Sequence, residues 1–133
     1  MLFASPPAPP HSQARYRYLA DVARWGLVES LPVREPWRPL YEMLPSFVSR
    51  PAKSLRPVLC LAACGAFGGT VEEALPVAVA FELIHNAFLV HDDIEDGSAS
   101  RRGQRTMHQR VGIPLAVNAG DAMNALSMRL FRQ

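Results

Sequence analysis

Glu82-Leu83-Ile84-His85-Asn86-Ala87-Phe88-Leu89-Val90-His91-Asp92-Asp93-Ile94-Glu95-Asp96 decides the reading of this chain. Upstream of the acids the stretch is strongly apolar, and from Asp92 to Asp96 it holds four of the chain's 12 acidic residues. On a helix, Asp92 and Asp96 share a face because they are four positions apart, and Asp93 lies beside them. Carboxylates crowded at a helix C-terminus repel one another and oppose the helix dipole. A divalent cation between them relieves both effects, and all-oxygen ligands select a hard ion such as Mg²⁺. A solvated acidic helix end is the competing reading of the cluster taken alone.

The neighbouring residues shift that balance. Arg101, Arg102 and Arg105 follow the acids. Metal-bridged acids followed by guanidinium forks are what a bound diphosphate requires. Read inward along the helix, Phe88 and His85 fall roughly beneath Asp92. Phe88 is then an apolar wall one turn, about 6 Å, below the acids. A polar rim over an apolar floor suits a prenyl chain. For Phe88 plain core packing stands as the alternative, and for His85 a hydrogen-bonded core histidine.

The outward pass predicts helices throughout. Residues 1–12, with Pro6, Pro7, Pro9 and Pro10, read as a disordered tail, and residues 13–133 as one partial domain. Ser12 is a plausible N-cap for a first helix whose apolar face is Tyr16, Leu19, Ala20, Ala23 and Leu27. A second helix is expected over Trp37–Val48. A third, from Pro57 to Phe67, is apolar nearly all round and is expected to be buried. Thr70 and Glu73 make a capping box for the long helix, which could kink or restart at Pro76. Gly97–Arg105 reads as a polar loop, Thr106 as the cap of a short turn, and Pro114 as the start of a last helix. No strand alternation is visible.

Composition excludes several classes. A 49% hydrophobic, 20% charged chain of 133 residues fits one globular domain. A net charge of +2 gives no reason to expect nucleic acid as a partner. The apolar run Val77–Val90 is interrupted by Glu82, His85 and Asn86, so no membrane span is expected. No secretory signal is visible, and Cys60 and Cys64 are expected to be reduced, buried thiols, which makes a cytoplasmic location the default. Walker, HExxH, GxSxG and dinucleotide-glycine motifs are absent.

With these residues in view, the sequence resembles the trans-isoprenyl diphosphate synthase, or polyprenyl synthetase, family. Asp92-Asp93-Ile94-Glu95-Asp96 matches its first Asp-rich motif. Arg101-Arg102-Gly103 with Thr106 and His108 matches the stretch that follows. Ala52-Lys53-Ser54-Leu55-Arg56-Pro57 is similar to its GKxxRP motif, with Ala52 in place of the usual Gly. Glu82-Leu83-Ile84-His85 and Asn118-Ala119-Gly120-Asp121 match two further segments, and Arg105 stands where Pro is usual.

The resemblance implies the N-terminal part of an all-α isoprenoid-synthase-type helical bundle. It implies that Asp92, Asp93 and Asp96 bind Mg²⁺ on an allylic diphosphate and that Arg101 contacts that diphosphate. Lys53, Arg56, His85 and Arg102 would hold isopentenyl diphosphate. Phe88 would favour a short product of C15–C20. The family's second Asp-rich motif is not found within residues 1–133, so half of the expected metal site is missing from them. That leaves two expectations: a fragment or subunit of a prenyltransferase, or a non-catalytic, diphosphate-binding partner. The open cavity wall predicts a homo- or hetero-oligomer.

Overall fold

A computed structural model describes residues 12–32, 38–50 and 52–132, so residues 1–11 of the expected 1–12 tail and the start of the second helix at Trp37 lie outside the described residues, while Ser12 is already the first residue of a helix. Six helices appear among the described residues: α1 (Ser12–Glu29), α2 (Arg38–Val48), α3 (Leu55–Ala66), α4 (Val71–Glu95), α5 (Met107–Val111) and α6 (Ile113–Leu130). The all-α expectation therefore holds.

Local chemistry accounts for most of the boundaries. The Thr70 hydroxyl accepts from the Glu73 amide at 3.3 Å while Glu73 Oε2 accepts from the Thr70 amide at 2.8 Å, closing the expected capping box. α4 then runs for 25 residues as one helix that includes Pro76. The anticipated restart does not occur, because a proline this near the N-terminus removes a single intrahelical bond and the packed face beyond it carries the helix through.

α4 is the central element, packing on α6, α3 and α1. Val79, Leu83, Ala87 and Val90 join Ala116, Ala119 and Met123 of α6 and Leu44 and Phe47 of α2 in the main core. Ala74 and Ala78 face Leu19, Ala20 and Ala23 of α1 and Val58 and Leu61 of α3 in a second cluster. By length and hydropathy alone α4 could cross a membrane, but it is the core helix of this bundle.

Three expectations need correction. α3 is not buried all round: Pro57, Val58 and Leu61 are, whereas Leu55, Leu59 and Phe67 are exposed. Only its face toward α1 and α4 has a partner among the described residues. Cys60 and Cys64 are free but only half-buried, for the same reason. The loop after α4 contains a small antiparallel hairpin, β1 (Ser100–Arg101) with β2 (Gln104–Arg105). Arg102 and Gly103 form its two-residue turn with φ of 54° and 73°. Left-handed backbone at both central positions suits the twist of the flanking strands, and an X-Gly pair supplies it.

Candidate functional site

The expected isopentenyl diphosphate ligands converge. Lys53, Arg56, His85 and Arg102 line one cavity of about 580 Å³, together with Ala52, Ser54, Leu55 and Glu82. They arrive from the connector before α3, from its first turn, from the middle of α4 and from the hairpin turn. Tyr16 of α1 ties the connector down by donating its hydroxyl to the Lys53 carbonyl.

The only described non-glycine residues with positive φ, Ser54 at 49° and Arg102 at 54°, both line this cavity. Such backbone costs on the order of 1–3 kcal/mol at a bulky residue and persists where the surroundings over-determine it. At Arg102 the tight turn imposes it. Ser54 is the N-cap of α3, and its side chain makes no capping bond.

The cavity is electropositive. Burial first, then Arg56, Arg102 and Arg101, hold the His85 imidazole below its ordinary pKa, while Asp92 pulls the other way. Glu82 is nearly buried, and its desolvation pushes its pKa up against the pull of Arg102, Arg56 and a hydrogen bond from Asn86. An anion therefore gains from every neighbour except Glu82, and a neutral imidazole can still donate one hydrogen bond.

The acidic end of α4 is arranged differently. Asp92 and Asp96 are exposed, and Asp96 closes the helix with its amide on the Asp92 carbonyl at 2.8 Å. Asp93 is 1% exposed, and its Oδ1 accepts from Arg101 Nε at 2.7 Å. Its Oδ2 is buried without a hydrogen-bond partner among the described residues. Among the described residues no three His, Cys, Asp or Glu side chains come together as a metal cluster. The three expected ligands thus divide into two open carboxylates and one held by an arginine. Two exposed carboxylates on one face still suit Mg²⁺, which takes its remaining ligands from water and phosphate oxygens.

Phe88 is 59% exposed, so it lies outside the core that the described residues form. It stands seven positions from Phe81, also exposed, on the same side of α4. Phe81 meets Phe131 edge-on with centroids 5.7 Å apart. Beyond the hairpin, the buried Thr106 hydroxyl donates to the Ser98 carbonyl at 2.8 Å, and the Thr106 amide to the Ala99 carbonyl at 3.2 Å. The threonine of the motif is therefore a clasp on the loop. Asp121 meets His91 Nε2 at 3.4 Å, and Gly120 beside it lets α6 lie against the His91 ring.

Sequence reasoning missed Arg50. It is 4% exposed, its Nη2 donates to the Arg105 carbonyl at 3.2 Å, and its guanidinium lies 4.9 Å from the Phe47 ring centroid. Nothing in the local pattern signals a buried arginine at the end of a helix.

Comparison with known proteins gives this geometry its context. Geranylgeranyl diphosphate synthase of Cyanophora paradoxa is 46% identical over 107 residues, covering 79% of this chain and 35% of that protein. The heterodimeric geranylgeranyl pyrophosphate synthase small subunit of Arabidopsis thaliana chloroplasts is 39% identical over 105 residues, covering 77% of this chain and 32% of that subunit. An FPP/GFPP synthase from Zymomonas mobilis superposes with a TM-score of 0.85 at 34% identity, covering 91% of this chain and 45% of that one. The chain spans about a third of the length of the curated relatives it matches. The polyprenyl synthetase family profile matches residues 38–133, the segment that contains the cavity, the acidic helix end and the hairpin, and the chain belongs to that family.

Proposed function

We propose that this chain carries the first half of a prenyltransferase site, joining an allylic diphosphate to isopentenyl diphosphate in the synthesis of short, C15–C20, isoprenoids. The single observation that carries the reading is the convergence of Lys53, Arg56, His85 and Arg102 on one electropositive cavity beside the acidic end of α4. In this reading the cavity holds the diphosphate of isopentenyl diphosphate. Arg56 and Arg102 clamp its oxygens, Lys53 adds a point charge, and His85 donates as a neutral imidazole. Asp92 and Asp96 hold Mg²⁺ as direct ligands; Asp93, the third expected ligand, orients Arg101 toward the allylic diphosphate. When bound there, Mg²⁺ would supply Lewis-acid stabilisation of the diphosphate charge. As the allylic C–O bond breaks, the double bond of isopentenyl diphosphate attacks the allylic carbon, and loss of a proton restores an alkene. Phe88, one turn below Asp92, bounds the space for the growing chain.

A second reading, that of a diphosphate-binding partner subunit, is favoured by the likeness to a heterodimeric small subunit and by the exposed apolar side chains Phe81, Phe88 and Leu115. Pairing with itself or another chain and a cytoplasmic location belong to both readings. The test is titration of the chain with inorganic pyrophosphate, with and without Mg²⁺, followed by an assay with isopentenyl and dimethylallyl diphosphates. Mg²⁺-dependent binding is expected, and turnover appears only once a second acidic cluster is supplied by further sequence or a partner. No binding under either condition sinks the proposal. Turnover by residues 1–133 alone removes the partner reading.

A further inference from the structure

Arg50 belongs to none of the motifs assigned above, yet it is among the most costly residues in the bundle. A buried guanidinium costs several kcal/mol unless it is paired and hydrogen-bonded. Here one N–H reaches the Arg105 carbonyl, and Phe47 offers its ring. Nε and Nη1 are buried with no hydrogen-bond partner among the described residues, and so is Oδ2 of Asp93. Arg110 and Arg102 repel the charge, and Asp93 attracts it. A methionine of similar volume would fill the space without these costs, so packing does not account for an arginine here.

Its two contacts do account for it. The Arg105 carbonyl lies on β2, paired through the hairpin with the strand that carries Arg101. One bond from Arg50 therefore fixes the depth at which the turn presents Arg102 to the cavity. The same hairpin is tied to α4 by Arg101, whose Nε donates to Oδ1 of Asp93. We infer that Arg50 is a positioning residue for the diphosphate site: it pins the hairpin that carries Arg101 and Arg102. The identity of the ligand rests on the proposed function; the hold on the hairpin does not.

Arg50→Met and Arg50→Lys in the full chain separate these roles. Met and Lys have nearly the same volume, so a packing role makes the two variants equal. Two quantities are read: hydrogen exchange at the Thr106 amide, which closes the hairpin on Ala99, and calorimetric affinity for inorganic pyrophosphate with Mg²⁺. Arg50→Met should speed exchange and weaken affinity about tenfold, the size of one charge-assisted hydrogen bond. Arg50→Lys keeps the charge without the fork and should recover affinity to within about threefold of the parent. Equal losses in the two variants, or parent-like exchange in both, overturn the inference. Should Arg50→Met fail to fold, Arg50→Gln replaces it as the uncharged variant, and parent-like exchange and affinity there overturn the inference as well. A parent chain that does not bind pyrophosphate defeats the functional proposal instead, and the exchange measurement still judges the role of Arg50.

Discussion

Around His85 the chain gathers cations from three separate elements into one open cavity, whereas two turns further along the same helix it leaves Asp92, Glu95 and Asp96 facing solvent. Folding alone completes the first arrangement, because the connector, α3, α4 and the hairpin each contribute to packing for other reasons. The second is not complete without a cation. Its acids sit at the wrong end of a helix dipole, and among the described residues only Asp93 has an ion-pair partner. Anion binding at the cavity should therefore be preformed, and binding at the acids should depend on the metal.

The largest effect that tests this contrast comes from Asp92→Asn with Asp96→Asn. Mg²⁺-dependent affinity for pyrophosphate should fall by about a hundredfold or more, about 2.7 kcal/mol, while the metal-free component stays. Calorimetry with and without Mg²⁺ measures both, and equal loss in the two conditions breaks the comparison. Next in size is Arg102→Gln. The metal-free component should weaken by about 1.5–3 kcal/mol, the worth of a hydrogen bond to a charged group, with the ratio of affinities with and without Mg²⁺ nearly unchanged. A variant that loses only the Mg²⁺-dependent part would place Arg102 at the acidic end instead.

The two regions were also unequally legible from sequence. The acids, the arginine pair and the lysine connector announce themselves by residue type, and the capping box at Thr70 and Glu73 fixes where α4 begins. What escaped detection depends on tertiary placement. Asp93 looks the same as Asp92 in sequence, but the helix turns it inward by 100° per residue, onto Arg101. Ser54 has no local signal for a left-handed backbone. The hairpin did have one, the Arg102-Gly103 pair, but two-residue strands leave no alternation to read. The apolar run of α3 pointed to burial on every side, whereas only one face has a partner among the described residues.

A smaller effect probes how the acidic end is placed at all. A Cβ at Gly120 would lie 2.4 Å from His91 Nε2 and 2.9 Å from its Cδ2. Gly120→Ala should cost about 1–3 kcal/mol as an overpacked contact, read as a lowered denaturation midpoint. It should weaken Mg²⁺-dependent binding more than metal-free binding, because His91 directly precedes Asp92. Adding His91→Ala should relieve the clash and restore most of the stability. If the double variant is no better than the single one, His91 is not what the glycine accommodates.

The smallest effect concerns protons at the preformed end. Burial and the surrounding arginines hold the His85 pKa below its ordinary value, so the folded chain takes up that proton at lower pH than the unfolded chain. Just below the ordinary histidine value of about 6.5, the unfolded state binds more protons. This contribution to stability is complete above that pH and is lost as pH falls through the folded pKa. Between pH 7.5 and 5.5 the parent should lose more stability than His85→Gln, and equal losses would show that His85 feels no net cationic field. A bound anion reverses the sign at this one residue. Its charge draws a proton back to the imidazole, so binding near pH 6 takes up a fraction of a proton, at most about one. Calorimetry in two buffers of different ionisation enthalpy reads that uptake. Proton uptake that persists undiminished in His85→Gln would mean that the cavity owes its response to another group.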